Sequence, residues 1–156
     1  QHIEYAAQKG LAQAQYDLGA LYQAGTGVPN DAAEASKWLG KAAEQGHTAA
    51  QYDYAVMLLR GFGLTKDEPK AVPYMKAAAE KGIPGAQNRM AHIAAEGIGG
   101  TKNMVEAMKW RLLAKEHKIE DADFDAQLAK LSKADKAAGE KAAQEWRDNN
   151  AIGAVR

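Results

Sequence analysis

Histidines, paired glycines and a recurring tyrosine are the residues of this chain whose type and spacing could do chemistry. Of His2, His47, His92 and His117, only His92 has a carboxylate one helical turn away, at Glu96. That pair would put two metal ligands on one helix face. A stable zinc site takes three protein ligands held together, and no third is set by spacing, so neither a metal nor a cofactor is expected. The pairs Gly25/Gly27, Gly61/Gly63 and Gly97/Gly99 would expose backbone N–H groups to a phosphate. No strand precedes any of them and the third glycine of a dinucleotide fingerprint is missing, so they read as turns. Gly99-Gly100-Thr101-Lys102 likewise lacks the order of a Walker loop. No Ser-His-Asp order or carboxylate pair stands out. The chain has no cysteine, which excludes thiolate catalysis, disulfides and cysteine-bound metal. It reads as a non-enzyme.

What remains is a surface for binding. Tyr16, Ala20 and Gln23 follow Gln13 at spacings of three, seven and ten, which places all four on one helix face. That face turns away from Ala14, Leu18, Leu21 and Tyr22, whose spacing marks the core stripe. The helix that positions both stripes runs from about residue 11 to 24 and belongs to a unit that recurs. Ala6-Ala7-Gln8-Lys9-Gly10 returns as Ala42-Ala43-Glu44-Gln45-Gly46 and as Ala78-Ala79-Glu80-Lys81-Gly82, a step of 36 residues each time. The same step carries Trp38 onto Tyr74 and Trp110, and Gly19 onto Ala55 and Ala91.

Each unit reads as two helices joined by a glycine loop, the second from about residue 31 to 45. Gly25, Gly61 and Gly97 stop the first helix, because glycine accepts the left-handed conformation there. Asp31, Asp67 and Asn103 start the second, their side-chain oxygens capping free N–H groups for roughly 1 kcal/mol each. Gly19 sits where a small residue lets two helix axes approach. The aromatics Tyr22, Trp38, Tyr74 and Trp110 are expected in the core, filling space that the alanines leave. The unit divides the chain into a partial repeat (1–9), three full repeats (10–45, 46–81, 82–117), a degenerate repeat with a capping helix (118–148) and a frayed tail (149–156). Lys118 replaces the repeat glycine. Ser132 is expected to cap a last helix from about Lys133 to Arg147, with Trp146 covering the end of the stack.

The string from Ala14 to Gly46, with its Ala-Gln-Tyr opening, its Gly-x-Gly loop and its Trp38-Leu39 and Ala42-Ala43-Glu44 close, resembles the Sel1-like repeat. The likeness covers residues 1 to about 118. Repeat three departs most, with Asn88 for the aromatic, Ala94 for Tyr22 and Gly100 for Val28. The resemblance implies an all-α, right-handed superhelical solenoid of antiparallel helix pairs, related to tetratricopeptide repeats. It further implies that the Tyr16 stripe lines a concave groove with its equivalents Ala49, Tyr52, Val56 and Leu59, then Gly85, Asn88, His92 and Ala95. Tyr16, Tyr52, Val56, Leu59, Asn88 and His92 are thus the expected contacts for a protein or peptide partner in an adaptor or scaffold. The same resemblance leaves open a cell-wall or polysaccharide-associated role, or that of a spacer in a longer polypeptide. It favours a bacterial periplasmic or secreted setting, with the cytoplasm open.

Composition agrees. Lys+Arg and Asp+Glu both number 20, so no net field steers a nucleic acid. Hydrophobic residues make up 46% of the 156 but aromatics only 7%, a mixture suited to close-packed small-residue helices. No apolar run approaches the roughly 20 residues of a membrane span, so no membrane insertion is expected, and a monomer is the simpler expectation. The chain opens at Gln1 on what looks like the tail of a repeat, as a trimmed or processed chain would.

Overall fold

Glycine and a short capping side chain alternate along this chain, and the backbone follows them. The computed structural model describes the backbone of residues 2–155 and the side chains of residues 2–151. The described residues form nine helices and no strand. They fall into two compact units, Gln1–Lys81 and Gly82–Arg156. The first holds α1 (His2–Gln8), α2 (Ala12–Ala24), α3 (Ala32–Glu44), α4 (Thr48–Arg60) and α5 (Glu68–Glu80). Each of these helices packs against the next in sequence. The second unit holds α6 (Pro84–Glu96), α7 (Met104–Lys115), α8 (Ala122–Leu128) and α9 (Lys133–Val155). There α7 packs on both α6 and α9.

The ends of the repeat helices fall where the sequence placed them. Gly25, Gly61 and Gly97 are left-handed, with φ of 70°, 69° and 72°. Asp31, Asp67 and Asn103 accept hydrogen bonds from the N–H groups of Glu34, Lys70 and Glu106 at 3.0–3.1 Å. These three residues also work in the other direction. Their own N–H groups donate to the carbonyls of Tyr22, Leu58 and Ala94 at 2.8–2.9 Å, carbonyls in the last turn of the preceding helix that would otherwise lack a partner. One residue thereby ties both helices of a hairpin to their loop.

Ala35, Leu39, Ala42, Ala43, Ala50, Tyr54, Met57, Leu58 and Ala71 form one core cluster of the first unit, and Ala7, Leu18 and Trp38 another. Small residues set its spacing. A Cβ added at Gly19 would lie 2.8 Å from Leu39 Cγ and 3.3 Å from the Ala35 carbonyl, and one at Gly40 would lie 3.1 Å from the Tyr54 ring. Trp38 and Trp110 are buried, whereas Tyr22 and Tyr74 are only half-buried. Tyr74 meets the Tyr54 ring edge-on at 5.3 Å.

Buried glutamines bind successive repeats together, a role not read from the sequence. Gln15 Nε2 donates to the Ala7 carbonyl at 3.2 Å, and its Oε1 accepts from Gln45 Nε2 at 2.8 Å. One repeat on, Gln51 Nε2 donates to the Ala43 carbonyl at 3.4 Å and its Oε1 accepts from Lys81 Nζ at 3.0 Å. Gln45 and Lys81 also donate to the carbonyls of Gly10 and Gly46 at 2.9 and 2.7 Å. The signal was available as an Ala-Gln pair recurring on an otherwise apolar face.

In the second unit, Lys118 keeps the left-handed backbone of the glycine it replaces, with φ of 62°, a conformation that costs a side-chain-bearing residue about 1 kcal/mol. Ser132 Oγ caps α9 by accepting from the Asp135 N–H at 3.1 Å. Trp146 meets Trp110 edge-on at 6.4 Å. The helix does not end at Arg147. It continues to Val155, and where a frayed tail was expected Asn150 donates back to the Trp146 carbonyl at 2.8 Å, so its polar side chain supports the helix instead of breaking it.

Replacing Gly19 by Leu should destabilise the first unit by about 2 kcal/mol through overpacking against Leu39. Gln23→Ala, on an exposed position, should stay within about 0.5 kcal/mol of the parent. Chemical denaturation followed by circular dichroism measures both, and equal effects would contradict the helix phases given above.

Candidate interaction surface

In the first unit the expected face stands on α2 and α4. Tyr16, Tyr52, Val56 and Leu59 are all half-buried, and Tyr16 and Leu59 rest on the core cluster. The Tyr16 ring stacks on His47, with centroids 4.6 Å apart and planes 21° from parallel. His47 directly precedes α4, and its Nδ1 accepts from the Ala50 N–H at 3.2 Å. The proton of the neutral ring is then on Nε2, which donates to Gln13 Oε1 at 2.9 Å. The Tyr16 hydroxyl lies near Asp53 and is coupled to it electrostatically. Burial pushes the Asp53 carboxyl up, against the pull of that hydroxyl and of His47. Burial and the nearby Asp53 and Asp17 raise the Tyr16 phenol in turn. The result is a tyrosine stacked on His47, on a face that also carries Tyr52, Val56 and Leu59.

The second unit treats the same face differently. Asn88 and His92, expected to present polar groups to a partner, spend them on the chain's own α8 region. His92 Nε2 lies 2.6 Å from Asp121 Oδ2, and Asn88 Nδ2 donates to that oxygen at 3.1 Å. The His92 ring also stacks on Phe124 at 4.1 Å. Arg111, only 2% exposed, grips Asp125 through Nε and Nη2 at 2.7 and 3.0 Å. Its Nη1 donates to Asn88 Oδ1 at 3.0 Å and to the Ile119 carbonyl at 2.8 Å. The expectation for Asn88 and His92 is therefore corrected in one respect: Asn88 Nδ2 and His92 Nε2 turn to Asp121, which follows the third repeat, and Asn88 Oδ1 accepts from Arg111. Arg111 was missed. A charged residue on a second helix, one place beyond the aromatic at Trp110, was the signal.

These contacts set the charge balance. Burial alone would push the Asp121 carboxyl up, but hydrogen bonds from His92 and Asn88, with the His92 charge, hold it below its ordinary value. The Arg111 hydrogen bonds hold Asp125 low, aided by the Arg111 and Lys115 charges and opposed by burial and Asp121. A cleft of about 380 Å³ opens beside this clasp, edged by Lys115, Lys118, Glu120 and Asp121. Charges of both signs line it and Arg111 is already engaged, so it offers no anion clamp. His92 turns to Asp121, not to Glu96, and no group of three potential metal ligands occurs among the described residues. None of their helices is long and apolar enough to cross a membrane.

Antiparallel helix hairpins recurring at a fixed period, with one half-exposed first-helix face, define a helical repeat protein. The Sel1 repeat model matches residues 12–47, 48–83 and 84–117, and the chain belongs to the Sel1 repeat family. Similar solved structures include c5321, a protective antigen present in uropathogenic Escherichia coli strains displaying an SLR fold, at 37% identity and a TM-score of 0.69. That match covers 74% of this chain and 25% of the other. A Sel1 repeat protein from Oxalobacter formigenes is similar at 36% identity and a TM-score of 0.67, over 76% of this chain and 47% of the other. The chain thus spans about a quarter and about half the length of these two relatives. No curated protein matches it. Sel1 repeats generally mediate protein–protein interaction and generally build non-catalytic scaffolds.

The two carboxylate environments predict opposite responses to acid. Asp125 and Asp121 sit below the ordinary value of 3.8, so the native state binds their protons less tightly than the unfolded chain. The stability they contribute is present above pH 3.8 and is lost as pH falls through their lowered values. Asp125→Asn leaves Arg111 buried without its counter-ion and should cost about 3 kcal/mol at pH 7, a penalty that shrinks in acid. Asp53 sits above 3.8, so its ionisation opposes folding as pH rises through that range. Asp53→Asn, whose amide oxygen can still accept from Tyr16, should raise the Tm at pH 7 and give no gain below pH 3.8. Thermal melts of both variants across pH 3 to 8 read these signs, and two curves of the same sign would contradict them.

Proposed function

We propose that the chain is a non-catalytic interaction module whose protein or peptide partner lies along the first-helix face carrying Tyr16, Tyr52, Val56 and Leu59. The observation that carries this reading is the state of those side chains: half-buried on packed helices, apolar and hydrogen-bonding groups side by side, with the Tyr16 ring stacked on His47. A rigid aromatic loses little freedom when a partner covers it, which is why such residues anchor interfaces. The second helices offer less. Lys37 and Lys41 cover Trp38, with ammonium groups 5.7 and 4.5 Å from the ring centroid.

Asn88 and His92 occupy the same repeat positions in the other unit. With 39% of its side chain exposed, His92 offers a partner its ring face and edge more than its nitrogens. Ordering an extended segment costs free energy, and a face without strong charge returns it mainly through apolar contact. A dissociation constant on the order of micromolar follows.

A photo-crosslinking residue at Val56 should trap the partner, while one at Lys76, exposed on α5, should not. Tyr52→Ala combined with Val56→Ala should weaken the purified complex at least about tenfold with helicity unchanged. Trapping at position 76, or binding untouched by the double substitution, would put the interface elsewhere.

A further inference from the structure

Among the first helices, α8 stands apart. α2, α4 and α6 each lie along the second helix that follows them, and Phe124 and Asp125 of α8 fall at the repeat places of Tyr52 and Asp53. Yet α8 stops after seven residues and forms no such hairpin, and α9 packs on α7 instead. The contacts of α9 with α7, Trp146 on Trp110 and Gly139 against Met108, do not involve α8. Side chains hold α8 in place: Phe124 and Leu128 are buried, and Asp121 and Asp125 are bonded to His92, Asn88 and Arg111. The stretches on either side, 116–118 and 129–130, are exposed, and the first includes the left-handed Lys118. A short helix joined by exposed loops and fixed by side chains can open while the rest of its unit stays folded.

What lies under α8 is chemically specific. Buried Leu39 and Met75 hold the place of Arg111 in the earlier repeats, so an apolar floor becomes in the third a guanidinium that is 2% exposed. Three donors there receive two carboxylates and a ring. Arg111 takes Asp125, Asn88 and His92 take Asp121, and the His92 ring stacks on Phe124 at 4.1 Å. Uncovered, Arg111 would lose its counter-ion, and a charge left without its partner is costly. Such a face is suited to exchanging one acidic occupant for another rather than standing empty. We propose that α8 is a displaceable internal ligand, and that the face beneath it binds in its place a partner segment with the pattern of Asp121, Phe124 and Asp125: two carboxylates four residues apart and an aromatic between them. This surface belongs to the second unit and selects for acid, whereas the Tyr16 face carries no strong charge; neither reading depends on the other. Being tethered, α8 competes at an effective concentration on the order of millimolar, so a partner must match its contacts to replace it.

The probe is a synthetic peptide of residues 120–130, Glu-Asp-Ala-Asp-Phe-Asp-Ala-Gln-Leu-Ala-Lys, added to the isotope-labelled full chain. Without peptide, the amides of α8 should exchange with solvent at least about tenfold faster than those of α6 and α7. With millimolar peptide, the ring of its phenylalanine should give nuclear Overhauser contacts to the His92 imidazole, and exchange in α8 should quicken further. Phe124→Ala in the chain, which weakens the internal competitor, should tighten peptide binding about tenfold. A control peptide with asparagine at the places of Asp121 and Asp125 should do none of this. Should the Phe124→Ala chain fail to fold, the exchange and contact measurements on the parent still decide. Exchange in α8 at the rate of α6 and α7, absence of any contact between peptide and His92, or equal binding of the control peptide would each overturn the proposal.

Discussion

Each helix hairpin here turns on a residue that hydrogen-bonds in two directions. Asp31, Asp67 and Asn103 use a side-chain oxygen to cap the helix that follows and a backbone N–H to close the one that precedes. Neither bond alone sets the angle of the hairpin; together, with a left-handed glycine six residues before, they leave the loop little freedom. The packing depends on this. Gly19 can sit under Leu39, and Gly40 under Tyr54, only if the helices leave the loop at a fixed separation, and the Tyr16 face stays half-exposed only if the second helix packs on the opposite side.

The fold was legible because its determinants are local. A glycine with positive φ, a cap residue and an alanine stripe each declare themselves within a few positions, and their return every 36 residues removes ambiguity. The candidate face was legible as a stripe: periodicity put Tyr16 on one helix and Tyr52, Val56 and Leu59 on its repeat, and all four side chains are half-buried. What the sequence did not reveal are pairings made across distance. Asp121 reaches His92 and Asn88 over 29 and 33 residues, after the repeat phase has weakened, and nothing local says which face α8 will meet. Arg111 was hidden for another reason. A lone arginine on a helix is ordinarily solvated; its place at the repeat position of Leu39 and Met75 hinted at burial, but which carboxylate it would meet was not local information.

The two units handle buried charge in contrasting ways. In the first, the Asp53 carboxylate is partly desolvated and has only a phenol and an imidazole to answer it, so it sits at some cost. In the second, the carboxylates Asp121 and Asp125 are surrounded by donors and by a full guanidinium. The difference follows position: α8 has seven residues against thirteen in α2, α4 and α6, and it adds ionic contacts to the burial of Phe124 and Leu128. A long apolar helix can carry a poorly compensated carboxylate; a short one relies on its charges.

The buried glutamines carry a consequence for how such an array diverges. Gln15 Oε1 receives an amide N–H from Gln45, while Gln51 Oε1, in the same role one repeat on, receives an ammonium from Lys81. The carbonyl at that place accepts either donor without moving the backbone that each donor also binds. A duplicated unit can therefore drift at this position, gaining or shedding a charge, while the seam between neighbours stays closed, which leaves the outer surface free to acquire new specificities at little structural risk.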